Sequence, residues 1–183
     1  CLPHDAAEYR RGNLTTVKDA NPDGIILISY QADAALIAQQ AREAGLTVPF
    51  VGSAAIQSPD YLELGGKAVE GTYILGEFSI DDPRPEVQAF VETFREKYNE
   101  DPDLFATLAY DSINLVAEAI KIGGPTRDGV HEAFAKLKDV PSIVYGKVTF
   151  DVETRRAQNP KFNDIVVKDG AFTPWDGTKP AAK

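Results

Sequence analysis

The stretch from Asn21 to Gly52 constrains the fold of this chain more than any other. The turn cluster Asn21-Pro22-Asp23-Gly24 leads into the apolar run Ile25 to Ile28, which is too short for a helix and is bounded by turn residues. It reads as a buried parallel strand. Ala34, Ala35, Leu36, Ile37, Ala38, Ala41 and Ala44 then recur as in a helix, with Asp33 as the expected N-cap and Gly45 as the residue after its C-cap. Val48-Pro49-Phe50-Val51-Gly52 has the length of a second strand. Strand, helix and strand at this spacing form a βαβ unit, and the natural class is α/β, a sheet covered by helices.

The rest of the chain extends that pattern. Tyr61 to Gly65 predicts a short helix and Gly71 to Gly76 a strand. Ser79 to Pro85 is acidic and rich in proline, so it reads as a crossover between two lobes. Val87, Phe90, Val91, Phe94 and Tyr98 share one helical face. A second helix carries Leu108, Ile113, Val116, Ala117 and Ile120 and ends at Gly123-Gly124-Pro125, and a third is expected over Arg127 to Lys138. Val144, Gly146, Val148 and Phe150 predict one side of a strand. Ile165-Val166-Val167, running through Asp169-Gly170 into Phe172, predicts a hairpin. Pro180 to Lys183 reads as a loose terminus.

Composition narrows the function. At 183 residues and 43% hydrophobic, the chain can bury a sizeable core and is not disordered. Its net charge of -9, with no basic cluster interleaved with aromatics, opposes binding to a phosphate backbone, so no nucleic-acid partner is expected. No apolar run approaches the roughly 20 residues of a membrane span, and the chain as given is expected to be soluble. A single cysteine forbids an internal disulfide, and His4 and His131 are too far apart in sequence to suggest a metal set. Cys1 reads either as the lipid-bearing first residue of a processed lipoprotein or as a fragment boundary.

Catalytic motifs are incomplete. Gly52-Ser53-Ala54 lacks the second glycine of a nucleophile elbow, and Gly65-Gly66-Lys67 is followed by Ala68 where a phosphate loop needs Ser or Thr. Asp81-Asp82, Glu100-Asp101 and Asp103 read as solvated charges. Asn13-Leu14-Thr15 fits a glycosylation triplet too short to carry weight. No nucleophile and base pair, metal set or dinucleotide fingerprint emerges, so neither an enzyme nor a cofactor is expected. An enzyme of doubly wound α/β type, with its site near Tyr30 and Ser53, is the rival from another class.

The order of segments resembles a specific family. Asn21-Pro22-Asp23 before a strand, Gln39-Gln40-Ala41-Arg42-Glu43-Ala44-Gly45-Leu46, and Pro49-Phe50-Val51-Gly52 are similar to the bacterial substrate-binding proteins of branched-chain amino-acid ABC importers, which are type 1 periplasmic binding proteins. Glu70-Gly71, the helix ending in Lys97-Tyr98, Ala109-Tyr110-Asp111-Ser112, and Gly146-Lys147-Val148-Thr149-Phe150-Asp151 follow in the family's order. The resemblance implies two doubly wound lobes closing on a solute, with this chain a C-terminal portion. Residues 1-78 would belong to the second lobe, 79-150 to the first after the hinge crossover, and 151-183 to the return hinge and the second-lobe hairpin. It implies membrane subunits of an ABC transporter as partners and a periplasmic or extracytoplasmic location. A ligand-sensing regulatory domain of the same fold is the second reading. The family's opening segment has no counterpart here, so self-association or a separate N-terminal segment is expected to cover apolar helix faces.

The resemblance also implies a ligand site at the C-terminal ends of strands. Tyr30 resembles a pocket tyrosine, Ser53 and Ala55 occupy the loop after the second strand, and Phe105 resembles an aromatic that flanks the ligand side chain. In the amino-acid binders an acidic residue in that loop meets the ligand's ammonium, and Ala54 stands at its position. Either an absent segment, Glu77 or Asp111 supplies the charge, or the solute is a carboxylate or amide without an ammonium; the last alternative is preferred, because an unpaired buried ammonium is costly.

Overall fold

The computed structural model describes residues 6–158 and 160–178, with the helical backbone alone for 6–12. Cys1, His4 and the stretch Pro180 to Lys183 lie outside the described residues, as do the expectations attached to them. The chain forms two compact units, one of residues up to Gly76 together with those from Asn163 onward, the other Glu77–Phe162.

The first unit is a mixed sheet with helices against one face. Helices α1 (Ala6–Asp19), α2 (Gln31–Glu43) and α3 (Pro59–Gly65) accompany strands β1 (Ile25–Leu27), β2 (Phe50–Ser53) and β3 (Tyr73–Gly76). β1, β2 and β3 are parallel, with Ile26 beside Val51 and Ser53 beside Leu75. Leu27, Phe50, Ile74, Ile165 and Val167 point into a core closed by Ala34, Ala35, Ala38 and Ala41 of α2, by Tyr61 of α3 and by Val69. Small alanines let α2 lie close to the sheet. Arg42 ties the end of α2 to the following loop by donating to the carbonyls of Leu46 and Val48 at 2.7 and 2.9 Å.

Two local expectations need correction. The run Ile25 to Ile28 is half-buried rather than buried: Ile26 and Ile28 are each 76% exposed, because β1 is an edge strand with helices on one face. The N-cap of α2 is Tyr30, and Asp33 lies in its first turn, where a carboxylate is favoured by the positive end of the helix dipole. The other end is as the glycine implies. Gly45, at φ 81°, donates to Arg42 O, and Leu46 donates to Ala41 O, the paired bonds of a Schellman stop.

The second unit holds α4 (Pro85–Tyr98), α5 (Leu104–Gly123), α6 (Arg127–Phe134) and the antiparallel pair β4 (Val140–Ser142) and β5 (Gly146–Val148). Asp103 caps α5 through the Ala106 amide at 2.7 Å, and Thr126 caps α6 through that of Gly129 at 3.1 Å. Phe90 of α4 stacks beside Tyr110 of α5 with ring centroids 4.9 Å apart. α5 buries Leu104, Thr107, Asp111 and Ala119, whereas Ile113, expected with its apolar set, is 71% exposed. α6 stops at Phe134 rather than Lys138, and Val144, expected in a strand, sits in the loop between β4 and β5. The last strands, β6 (Asn163–Lys168) and β7 (Ala171–Pro174), rejoin the first unit, β6 running antiparallel to β3.

Candidate functional site

In a parallel sheet the loops that leave the C-terminal strand ends sit side by side, next to helix N-termini whose first amides have no partner within the helix. The first unit arranges Tyr30 and the loop from Ser53 to Ala55 in this way, since β1 and β2 are hydrogen-bonded neighbours in register from Ile25 and Phe50. Tyr30 directly precedes α2 with extended backbone and is 70% exposed. The Tyr30 side chain makes no cap bond to the first turn of α2. Ser53 ends β2 and opens a 3-10 turn, Ala54–Ile56, which its hydroxyl does not cap. Ala54 and Ala55 are half-buried in that turn, presenting methyl groups and backbone.

Gly52 makes the loop possible. A Cβ built there would overlap the Ile56 side chain, so its absence lets Ile56 fold back into the core and turn the chain sharply after β2. Gln57 and Ser58, which follow, are buried polar residues that sequence reasoning missed; a glutamine directly after an apolar loop residue was the available signal. The Gln57 amide oxygen lies where a side chain at Gly76 would intrude, so these two residues fit together at the end of β3. The Arg42 guanidinium is lowered from its ordinary pKa by burial, an effect partly opposed by Tyr61, and its bonds to loop carbonyls leave it a structural cation.

The second unit carries the other candidates. Glu77 is half-buried directly after β3, and its Oε2 accepts a hydrogen bond from the Tyr145 hydroxyl at 2.8 Å. Phe105 lies in the first turn of α5 and is 40% exposed, so its ring is only partly taken up by packing. Asp111 is buried, and its carboxylate is fully engaged by the Ser142 hydroxyl and the amides of Ile143 and Val144. That engagement withdraws Asp111 from the groups considered for a ligand ammonium. Sequence reasoning missed Ser142 and Tyr145, whose connection to Glu77 and Asp111 spans 31 to 68 positions. Among the described residues no three His, Cys, Asp or Glu side chains gather as a metal set.

Comparison with known proteins gives this geometry its context. The model of the periplasmic binding protein family matches residues 11–167. The chain is 26% identical over 141 residues to the leucine-, isoleucine-, valine-, threonine- and alanine-binding protein of Pseudomonas aeruginosa, covering 75% of this chain and 36% of that protein. It is similar to the solved leucine-binding protein of Thermotoga maritima, with TM-score 0.80 and 28% identity over 90% of this chain and 47% of that one. It is similar also to the branched-chain amino acid transporter substrate-binding protein of Streptococcus pneumoniae in complex with isoleucine, with TM-score 0.75 and 29% identity over 88% of this chain and 46% of the other. The chain thus spans about half the length of these solved relatives, and about a third of the Pseudomonas protein. With a family match across most of its length and the same α/β architecture, this chain belongs to the type 1 periplasmic binding proteins.

Proposed function

We propose that this chain is the C-terminal portion of the solute-binding component of an ABC importer, and that the complete protein captures a small branched-chain amino acid outside the cytoplasm for the transporter's membrane subunits. On this reading the first unit belongs to the second lobe and the second unit to the first lobe. The observation that carries it is the loop edge of β1 and β2, where Tyr30 at the start of α2 and Ser53 at the end of β2 follow neighbouring parallel strands within a family of periplasmic binding proteins. Exposed amides and hydroxyls at helix N-termini suit a carboxylate, which gains charge-assisted hydrogen bonds there. Tyr30, Ser53, Ala54 and Ala55 of the first unit and Glu77 and Phe105 of the second are the proposed solute contacts.

Ala54 cannot meet an ammonium and Asp111 is engaged, so of the two carboxylates this chain offered Glu77 is the counter-charge that remains. The Pseudomonas and Streptococcus relatives, an amino-acid-binding protein and one in complex with isoleucine, support that choice over the solute without an ammonium. Ala54 itself favours the other solute class, an aliphatic or aromatic carboxylate or an amide without an ammonium. Periplasmic location and transporter partners follow from the family reading and stand as part of the proposal.

Calorimetry on the complete protein with Tyr30→Ala tests the site. Loss of an aromatic wall should weaken binding of L-leucine at least tenfold, about 1.4 kcal/mol. Unchanged affinity would take Tyr30 out of the site.

A further inference from the structure

The loop of the β4–β5 hairpin is held from both sides. Its amides point at Asp111, whose Oδ1 accepts from Ile143 N at 2.9 Å and whose Oδ2 accepts from Val144 N at 3.0 Å and from the Ser142 hydroxyl at 2.6 Å. Ser142 Oγ in turn accepts the Tyr145 amide at 2.9 Å. The loop carbonyls point the other way, and Arg84 Nη2 donates to Ile143 O at 2.7 Å and to Val144 O at 3.3 Å. Arg84 is itself oriented by Asp82, with Nε 3.1 and 3.0 Å from the two carboxylate oxygens.

Strands of three residues hold a hairpin weakly, and a buried carboxylate is tolerated only when it is fully bonded. Here both conditions are met by one arrangement, which leaves the loop a single backbone course. That course places the Tyr145 hydroxyl 2.8 Å from Glu77 Oε2. Burial first, and then the hydrogen bond and charge of Glu77 and the charge of Asp111, push the Tyr145 hydroxyl far above its ordinary pKa, so it stays a donor. A carboxylate held by a fixed donor on one oxygen has lost most of its rotamer freedom before any ligand arrives.

We infer that Asp111 and Tyr145 are positioning residues for solute recognition: Asp111 shapes the hairpin loop, and through it Tyr145 fixes the Glu77 carboxylate in the orientation that receives the solute's ammonium. The inference rests on the proposal that Glu77 meets the solute, and neither Asp111 nor Tyr145 need touch it.

The test is a set of variants of the complete protein, Glu77→Gln, Tyr145→Phe, their double variant and Asp111→Asn, titrated calorimetrically with L-leucine. Exchange of the Ile143 and Val144 amides is followed by NMR alongside. Glu77→Gln should weaken L-leucine at least tenfold, and Tyr145→Phe several-fold with little change in melting temperature. Because Tyr145 acts through Glu77, the double variant should bind no more weakly than Glu77→Gln alone. Asp111→Asn should release the two loop amides to exchange and weaken L-leucine as Tyr145→Phe does. Additive losses, or full affinity in Tyr145→Phe, would overturn the positioning role while leaving Glu77 in the site. Should Asp111→Asn fail to fold, the Tyr145→Phe cycle alone decides. Full affinity in Glu77→Gln, or no binding of L-leucine, L-isoleucine or L-valine by the unaltered protein, would instead overturn the amino-acid reading on which the inference rests.

Discussion

Glu70 accepts the backbone amide of Gly170 at 2.6 Å, joining residues 100 positions apart, and takes the Asp169 amide at 3.1 Å through its other oxygen. Asp169 and Gly170 both have positive φ, 52° and 73°, the turn geometry that matches the right-handed twist of a two-residue hairpin. A carboxylate three residues ahead of β3 therefore steadies the turn of the β6–β7 hairpin, which completes the same sheet.

Glu70→Ala should destabilise the first unit by about 1 kcal/mol, less than a buried charged bond because the group is exposed. Urea denaturation with an unchanged slope checks this. No loss of stability would mean that the two short bonds contribute nothing beyond what water replaces.

In the second unit, α5 and α6 cross through two glycines. A Cβ on Gly129 would overlap the Gly123 carbonyl and stand 2.9 Å from the Thr126 hydroxyl that caps the same helix. Alanine is the better helix former, by about 1 kcal/mol, so propensity alone says Gly129→Ala stabilises. Backbone cannot yield as a side-chain tip can, and the clash should win by 1–3 kcal/mol, on the order usual for overpacking. A raised melting temperature in Gly129→Ala would show that the helices separate freely.

Asp82 gives the stability a dependence on acid. Burial by itself raises its carboxyl, but the hydrogen bonds from the Arg84 side chain and amide, with the charges of Arg84 and Lys161, outweigh it and hold the pKa below the ordinary value. A carboxyl depressed in the folded state stabilises above its unfolded pKa, about 3.9, and loses that contribution as pH falls through the lower folded value. Asp82→Asn should therefore cost about 1 kcal/mol or less at neutral pH, and the gap to the unaltered protein should close below about pH 4. A gap that stays constant with pH would place the role of Asp82 in shape rather than charge.

What was legible in the sequence was what short-range chemistry decides. Gly45 and the pair Asp169-Gly170 can adopt positive φ at little cost, so the stop of α2 and the last hairpin follow from a few adjacent letters. Asp33 was ambiguous because an acidic side chain serves a helix start both as cap and in the first turn. Ile25 to Ile28 carries no polar residue to mark a period, so its exposed side could not be told from its buried one. β4 was missed because Val140-Pro141-Ser142 holds a proline that argues against a strand, and it pairs at a sheet edge where that proline is tolerated. Tyr30 and Ser53 could be placed at strand ends from local order. The path from Asp111 through Ser142 and Tyr145 to Glu77 could not, since each link is a backbone or hydroxyl contact between distant segments.

The central claim is that the complete protein binds a branched-chain amino acid and needs its ammonium. The direct measurement is a thermal-shift comparison of L-leucine, L-isoleucine and L-valine with their deaminated carboxylate analogues. At a hundredfold excess over Kd a bound solute stabilises by about 2.7 kcal/mol, enough for a clear rise in melting temperature. That rise is expected for at least one of the three amino acids and none for its analogue. Equal or larger shifts with the deaminated carboxylates, or no shift with any of the three amino acids, would contradict it.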